Sequence, residues 1–213
     1  MKTSNLTSII VIALAFFIAD KASAQDSHIA VLLNMVNSNF NYGEKNRLLS
    51  DYKKDVRGLQ AGLSWQAGLA ENFSIVTEGY FIRKGGRLQS GNPLMNIGST
   101  VKLYTVEVPV LARLHAGRWY FNVGPYSNYM ISGKILTPES SEKISFGNGK
   151  FKRWEAGMQA GVGFQFKIKR TKMAIDVRYS HGMTSLSKDS KLFNRTLNIS
   201  VLAFKSLKGK THN

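Results

Sequence analysis

The sequence predicts an all-β fold, an eight-stranded antiparallel up-and-down transmembrane β-barrel. Two observations carry this prediction. Apolar side chains alternate with polar or glycine residues along several long segments, and the connections between these segments are alternately short and long. After the N-terminal leader, no run approaches the roughly 18 consecutive apolar residues of a transmembrane helix.

The clearest strand is the segment 154–168. Every even position from Trp154 to Ile168 is apolar, and no odd position carries an apolar side chain larger than glycine. A period of two indicates a strand, and this one has the length that crosses a bilayer, roughly 9–11 residues, rather than the ~5–6 of soluble domains. The alternation resumes between Met173 and Ser180 after a basic turn. The two segments therefore predict a membrane-spanning hairpin with its apolar face toward lipid.

The same alternation predicts eight strands in all. They cover about residues 29–40, 57–69, 73–84, 102–115, 119–133, 154–168, 173–180 and 195–204. The longer connections, 41–56, 85–101, 134–152 and 184–194, all emerge at one end, as in bacterial outer-membrane barrels of OmpA or OmpX size. Pro109 and Pro125 each remove a ladder donor, so each predicts a bulge or a local break.

The N-terminus has the three parts of a cleavable signal peptide. Lys2 precedes an apolar run at 9–19, and the small residues of 22–24 fit a cleavage site between Ala24 and Gln25. We therefore expect residues 1–24 to be a signal peptide and residues 25–213 to form one barrel domain. The chain has no cysteine, so we expect neither disulfides nor a lipoprotein anchor.

The chain is strongly basic, with a formal net charge of +16. The basic residues are spread over turns, loops and the tail, and an exported chain does not normally meet nucleic acid, so we expect no nucleic-acid partner. Two interpretations remain open: a solvated basic surface, or attraction to the anionic phosphates of outer-membrane lipid and lipopolysaccharide.

Charged residues on the non-lipid faces predict an ion-paired interior. This set is Glu78, Glu107, Arg113, Arg153, Glu155, Lys167, Asp176 and Arg178. Eight strands enclose an interior that side chains can fill, and buried charges are tolerated when paired. The balance of acids and bases favours a salt-bridged plug, and a narrow gated pore is the alternative.

Aromatic residues on the predicted lipid face fall into two belts. Near the short turns they are Phe73, Trp119, Phe121 and Phe166; near the long loops they are Phe81, Tyr104, Tyr129, Trp154 and Tyr179. Amphipathic rings prefer the two membrane interfaces, so these residues predict aromatic girdles. Trp65 lies nearer mid-strand and does not fit either belt.

Catalysis is the main alternative function. A lipid A-modifying enzyme needs a nucleophile and a base near the outer rim, and His181 with Ser180, Thr184 or Ser185 lies at that height. One histidine among common hydroxyl groups is not specific, and no spacing suits a metal or cofactor. A soluble lipocalin-like binder would have an apolar interior, which is the opposite polarity. We therefore expect no enzymatic activity, metal or cofactor.

Several segments together resemble the PorT-like outer-membrane β-barrel family of the Bacteroidetes. They are 58–63, Tyr104 with 107–109, 123–126, the glycine repeat of 157–164, and 178–182. The resemblance implies an outer-membrane barrel with its N-terminus and C-terminal tail in the periplasm. The founding member of that family is associated with protein secretion and gliding, so the resemblance also suggests a link to that machinery. We expect a monomeric structural or interaction protein that acts through long extracellular loops, with 134–152 the first partner surface to test.

Overall fold

The computed structural model describes residues 27–94, 96–147 and 149–206. The predicted signal peptide, with Ala24 and Gln25, lies outside the described residues. The strands in the described part are β1 (His28–Asn41), β2 (Lys53–Lys54), β3 (Val56–Ala70), β4 (Phe73–Leu88), β5 (Ser99–Ala116), β6 (Trp119–Leu136), β7 (Ser141–Lys143), β8 (Trp154–Ile168), β9 (Thr171–Gly182) and β10 (Phe193–Ser206). Two short 3-10 helices, Gly43–Asn46 and Ser50–Tyr52, follow β1. No helix in these ranges has the length and apolar character needed to cross a membrane.

Eight long strands close into an antiparallel barrel. Around the barrel the order is β1, β3, β4, β5, β6, β8, β9 and β10, and β10 pairs with β1 to complete the ring. The short strands β2 and β7 pair with the loop-side ends of β4 and β6. Because the barrel is closed, no strand edge exposes unpaired backbone groups to lipid. The predicted fold class is confirmed.

The connections alternate in length as predicted. Residues 71–72, 117–118 and 169–170 form two-residue turns at one end, while the longer connections lie at the other. Gly117 (φ +63°) and Lys169 (φ +53°) adopt the left-handed conformation that tight hairpin turns require. Both β5 and β6 extend further toward the loops than predicted, because pairing between Thr100 and Leu136 continues the hairpin beyond the alternating apolar segment.

Pro109 and Pro125 each lie in a gap of one ladder. The β4–β5 ladder passes from the pair Thr77–Val110 directly to Tyr80–Glu107, which leaves out Pro109. The β5–β6 ladder passes from Pro109–Tyr126 directly to Ala112–Val123, which leaves out Pro125. The predicted local break is therefore present at both prolines. Pro125 keeps its place opposite Met158 in the β6–β8 ladder, so its break is confined to the β5 side.

Side chains alternate between the two faces of the barrel as predicted. Glu155 and Gln159 are buried inside, whereas Trp154 is 62% and Met158 41% exposed on the outer wall. The interior is more apolar than the sequence suggested, because β1 and β10 carry apolar residues on both faces. The inner apolar cluster consists of Ala30, Leu32, Val36, Tyr80, Ile82, Tyr120, Ala174, Leu202 and Phe204.

Candidate functional site

The centre of the barrel holds two buried groups of ion pairs. In the first, the Nζ atom of Lys84 lies 2.9 Å from Oε2 of Glu107 and 3.1 Å from Oε2 of Glu155. In the second, Arg178 contacts Oε2 of Glu78 at 2.6 Å and Oδ2 of Asp176 at 3.3 Å. All these side chains are almost completely buried. Charges removed from water in this way need partners, and each has at least one.

Neutral side chains join the two groups into one network. The amide nitrogen of Gln159 donates to Oε1 of Glu107 at 2.5 Å, and Arg178 donates to the amide oxygen of Gln159 at 3.4 Å. The hydroxyl of Tyr80 also donates to Glu107, at 2.8 Å. Two contacts cross the interior: the ion pair of Arg178 on β9 with Glu78 on β4, and the hydrogen bond from the amide nitrogen of Gln159 on β8 to the hydroxyl of Tyr80 on β4. The network therefore ties opposite walls of the barrel together.

The network extends along the barrel in both directions. Toward the loops, Glu155 accepts hydrogen bonds at 2.7 Å from Asn128 and Asn194. Toward the short turns, Arg113 donates to Asn122 at 2.8 Å, and Asn122 in turn donates to Asp176 at 2.8 Å. The interior is therefore filled by a continuous column of hydrogen-bonded side chains.

The structure places six of the eight predicted interior charges in this column: Glu78, Glu107, Arg113, Glu155, Asp176 and Arg178. The prediction is wrong for Lys167, which is exposed beside the turn after β8. It is also wrong for Arg153, which precedes β8, donates to the carbonyl oxygen of Met130 and lies over the ring of Phe146.

Sequence reasoning missed Lys84, the cation that two carboxylates share. The alternation pattern does indicate its direction, because Lys84 occupies an even-numbered position of β4, like the inward residues Glu78 and Tyr80. A lysine near a predicted strand end is usually solvated, so its position alone does not mark it as a buried cation.

The predicted aromatic residues lie on the outer wall. Trp119 contacts Phe164 edge-on with ring centroids 4.9 Å apart near the short turns, and Tyr129 contacts Trp154 in the same way. Phe81 stacks on Tyr104 at 6.2 Å. The remaining predicted girdle residues also point outward and are at least partly exposed: Phe73, Phe121, Phe166 and Tyr179.

The long connections pack together into an ordered unit, which we call the loop head: the described residues of 42–55, 89–98, 137–153 and 183–192. Its apolar residues pack on the strand ends beneath it in one cluster: Leu186 and Leu192, with Tyr42, Ile144, Phe146 and Phe151, contact the strand residues Phe40, Val101, Leu103 and Met130. The amide of Lys152 donates to the carbonyl of Leu186 at 2.7 Å, and Gln89 donates to Tyr52 at 2.9 Å. Hydrogen bonds therefore connect loops that are distant in sequence.

A cleft of about 560 Å³ opens in the loop head. Its wall is mostly apolar and includes Leu94, Ile135 and Phe151, while Glu44 and Lys191 lie at its rim. Clefts of this size with an apolar wall and a few polar groups are typical binding sites.

Two electrostatic features mark the rim of this cleft. The carboxylate of Glu44 accepts a hydrogen bond from Lys191 at 2.6 Å, which lowers the pKa of Glu44 and raises that of Lys191. Burial raises the pKa of Tyr42 to about 12. The contact between Glu44 and Lys191 thus links the first and fourth loops. Burial keeps the phenol of Tyr42 neutral in the wall of the cleft.

The residues considered for catalysis do not converge. Ser180 points into the barrel and His181 outward, because neighbouring strand residues face opposite sides. The hydroxyls of Thr184 and Ser185 are engaged with backbone oxygens of Ala156 and of the fourth loop. Within 27–94, 96–147 and 149–206, no group of three histidine or carboxylate residues could hold a metal ion.

Some solved structures are similar to this chain, whereas no curated protein matches the sequence. Similar solved structures include Ail, the attachment invasion locus protein of Yersinia pestis, crystallised with the heparin analogue sucrose octasulfate (14% identity, 85% of this chain and 100% of that chain, TM-score 0.46). Another is neisserial surface protein A (8% identity, 82% of this chain and 95% of that chain, TM-score 0.48). A third is OprG of Pseudomonas aeruginosa (14% identity, 85% of this chain and 94% of that chain, TM-score 0.46).

A family assignment comes from the sequence itself. The sequence model of the outer membrane protein beta-barrel domain matches residues 22–188, which is most of the chain. An outer-membrane barrel domain requires a closed barrel with an apolar lipid-facing wall, and this chain has both. The chain therefore belongs to the outer membrane protein beta-barrel domain family and is located in the outer membrane.

Proposed function

We propose that this protein is a non-catalytic outer-membrane interaction protein that binds a partner through its loop head. The observation that carries the proposal is the ordered cleft between the long loops, walled by Leu94, Ile135 and Phe151. Loops held by a rigid scaffold are the usual place for binding specificity. The wall of the cleft suits an apolar side chain of a partner protein, and its charged rim suits the polar groups beside that side chain.

The filled interior supports a role as a scaffold rather than a pore. Lys84, Glu107 and Arg178 lie across the centre and each has an ion-pair partner, and Tyr120 fills space nearer the short turns. A barrel that is tied across its interior holds the loop ends at defined positions, which a preformed cleft requires.

The strand order supports a periplasmic location for both ends of the barrel. His28 at the start of β1 is opposite Ser206 at the end of β10, on the side of the short turns. Such turns face the periplasm in outer-membrane barrels, so the loop head faces outward. In this orientation outer-membrane lipid and lipopolysaccharide surround the wall, and the closed barrel is complete as a monomer.

The segments that resemble the PorT-like family, among them 58–63 and 178–182, support a more specific hypothesis. Under it, the partner of the loop head belongs to a protein-secretion or gliding apparatus. The identity of the captured partner distinguishes this hypothesis from that of an isolated barrel with another role.

Site-specific photo-crosslinking in intact cells tests the proposal. A photoreactive amino acid replaces Leu94 or Ile135 in the cleft wall, and Met183, which is 65% exposed outside the cleft, is the matched control. We expect a discrete crosslinked protein from the two cleft positions and none from position 183. Equal capture at all three positions, or none in the cleft, would contradict the proposal.

The enzymatic alternative has its own test. His181→Ala removes the only base considered for lipid A modification. We expect the lipid A mass profile of the host to be unchanged, because His181 and Ser180 face opposite sides of the wall. A change in that profile would contradict the non-catalytic assignment.

A further inference from the structure

Five basic residues face outward near the loop-side ends of neighbouring strands: Arg57, Arg83, Lys102, Lys134 and Lys143. Lys102 is directly opposite Lys134 across β5 and β6, and Lys134 is opposite Lys143 across β6 and β7. Arg83 is opposite Tyr104, one step closer to the middle of the barrel. The cations thus form a band at the upper edge of the lipid-facing wall.

This band has no compensating carboxylate in the structure. Among the described residues, none of the five takes part in an ion pair. Asp55 accepts a hydrogen bond from Asn39 instead, and Glu142 lies opposite Ile135. Like charges directly opposite each other on a sheet are destabilising, so the arrangement favours binding of an external anion.

A groove of about 620 Å³ lies on the outer wall next to one end of the band, and Arg83 of the band is among its lining residues. Ala61, a small residue, lines the groove and is paired with Leu33 on one side and Phe81 on the other. The groove is bordered by Leu33, Met35, Leu59, Phe81, Ile199 and Val201, all apolar and directed outward. A surface depression with an apolar border facing the bilayer fits a hydrocarbon chain.

Arg83 lies where the groove meets the band. It lines the groove, one of its terminal nitrogens donates to the carbonyl oxygen of Arg57 at 3.2 Å, and its Nε atom is buried with no hydrogen-bond partner in the described ranges. A guanidinium at this depth requires an anionic partner, and it binds phosphate through two parallel hydrogen bonds.

The spacing of the lysines favours one kind of lipid. Lys102, Lys134 and Lys143 occupy three adjacent strands, which span about 10 Å at ~4.8 Å per strand. A single phosphodiester cannot contact all three, whereas a lipid with several anionic groups on a broad headgroup can. With the loops outward, the adjacent leaflet is the outer one.

We propose that this face binds the lipid A part of lipopolysaccharide, with one acyl chain in the groove and phosphate groups on Arg83 and Lys102. The inference rests on the orientation given under the proposed function. It is independent of the partner-binding cleft, which is lined by different residues, among them Leu94 and Phe151 of the loop head.

Lipid binding to the purified full chain tests this site. Native mass spectrometry of the protein in neutral detergent measures its affinity for bisphosphorylated lipid A, dephosphorylated lipid A and phosphatidylglycerol. We expect Arg83→Gln and Lys102→Gln each to weaken lipid A binding about fivefold, the effect of one basic residue beside an anionic lipid surface. Ala61→Trp, which fills the groove, should weaken it without changing the charge.

Lys167→Gln is the matched control, because this exposed lysine lies at the opposite end of the barrel. It should leave lipid A binding unchanged, and heat-dependent gel mobility should show that every variant is folded. Equal effects of Arg83→Gln and Lys167→Gln would overturn the site. Equal affinity for phosphatidylglycerol and lipid A would also overturn it, since the surface would then select only negative charge.

The orientation is tested separately by labelling intact cells. A cysteine placed at Met183 should react with an impermeant reagent if the loops face outward. Absence of labelling would contradict the proposed orientation, whereas loss of the lipid-binding differences would contradict only the lipid A site. The two failures are therefore distinguishable.

Discussion

The Nζ atom of Lys84 lies 3.1 Å from Oε2 of Glu155, although the two residues are 71 positions apart in the chain. This contact joins β4 to β8 through the interior of the barrel. The same ammonium group also contacts Glu107 on β5. One buried cation therefore connects three strands of the wall, and the tests of the interior begin with it.

Replacing this shared cation should destabilise the barrel. Lys84→Met leaves the carboxylates of Glu107 and Glu155 buried with fewer partners, so the free energy of unfolding should fall by about 3–5 kcal/mol. Urea unfolding in lipid vesicles measures the change. Lys167→Met, at an exposed position, should stay within about 0.5 kcal/mol of the parent. Equal stability of the two variants would show that the network contributes little.

Gly163, which faces the interior, and Gly79, which faces outward, offer a paired test of packing in the barrel. A Cβ atom at Gly163 would lie within 2.0 Å of the Tyr120 ring, whereas one at Gly79 would meet nothing within 4 Å. Gly163→Ala should therefore lower the unfolding free energy by about 1–3 kcal/mol through overpacking. Gly79→Ala should be nearly neutral in the same urea titration. A tolerated Gly163→Ala would mean that Tyr120 can move aside.

The link between Glu44 and Lys191 should depend on pH. The hydrogen bond and charge of Lys191 lower the pKa of Glu44 in the folded protein. The contribution of this link is present above the ordinary glutamate pKa of about 4.3 and is lost as pH falls through the lower folded value. NMR titration of the Glu44 carboxyl carbon measures this pKa. Lys191→Gln should return it toward the ordinary value, and Lys188→Gln should not; equal values would rule out the contact in solution.

The filled interior should prevent ion flow. We expect no stable conductance from the parent protein in a planar bilayer, because paired side chains occupy the barrel centre. Shortening both Lys84 and Glu155 to alanine removes two of these side chains while conserving net charge. Conductance steps from the double variant, with none from the parent, would show that the assay can detect an opened interior. Reproducible steps from the parent would support the gated-pore alternative.

Much of the fold was predictable because lipid imposes a strict pattern on each strand. The period of two in 154–168 assigned a face to every residue of β8, including Trp154 outside and Glu155 inside. Short and long connections identified the two ends of the barrel. The first strand was harder, since Val31, Leu32 and Leu33 are all apolar and the outer and inner environments both accept them.

The candidate site was predictable only in part. The alternation along each strand placed Glu107 and Arg178 in the interior, but no local pattern predicts which charged residues pair there. Arg153 has inward parity too, yet it lies before the first residue of β8 and turns to Met130 and Phe146. The loop head was beyond prediction, because contacts such as Lys152 with Leu186 join segments that carry no periodic pattern.

The sequence by itself determined the class of fold and the membrane-facing wall, since alternation along one strand is a local property that each strand displays alone. Tertiary structure decided which charges pair, where the loops form a cleft and which cations share an edge of the wall. These features depend on register and closure, which bring together residues such as Lys84 and Glu155 from strands that are far apart in the chain.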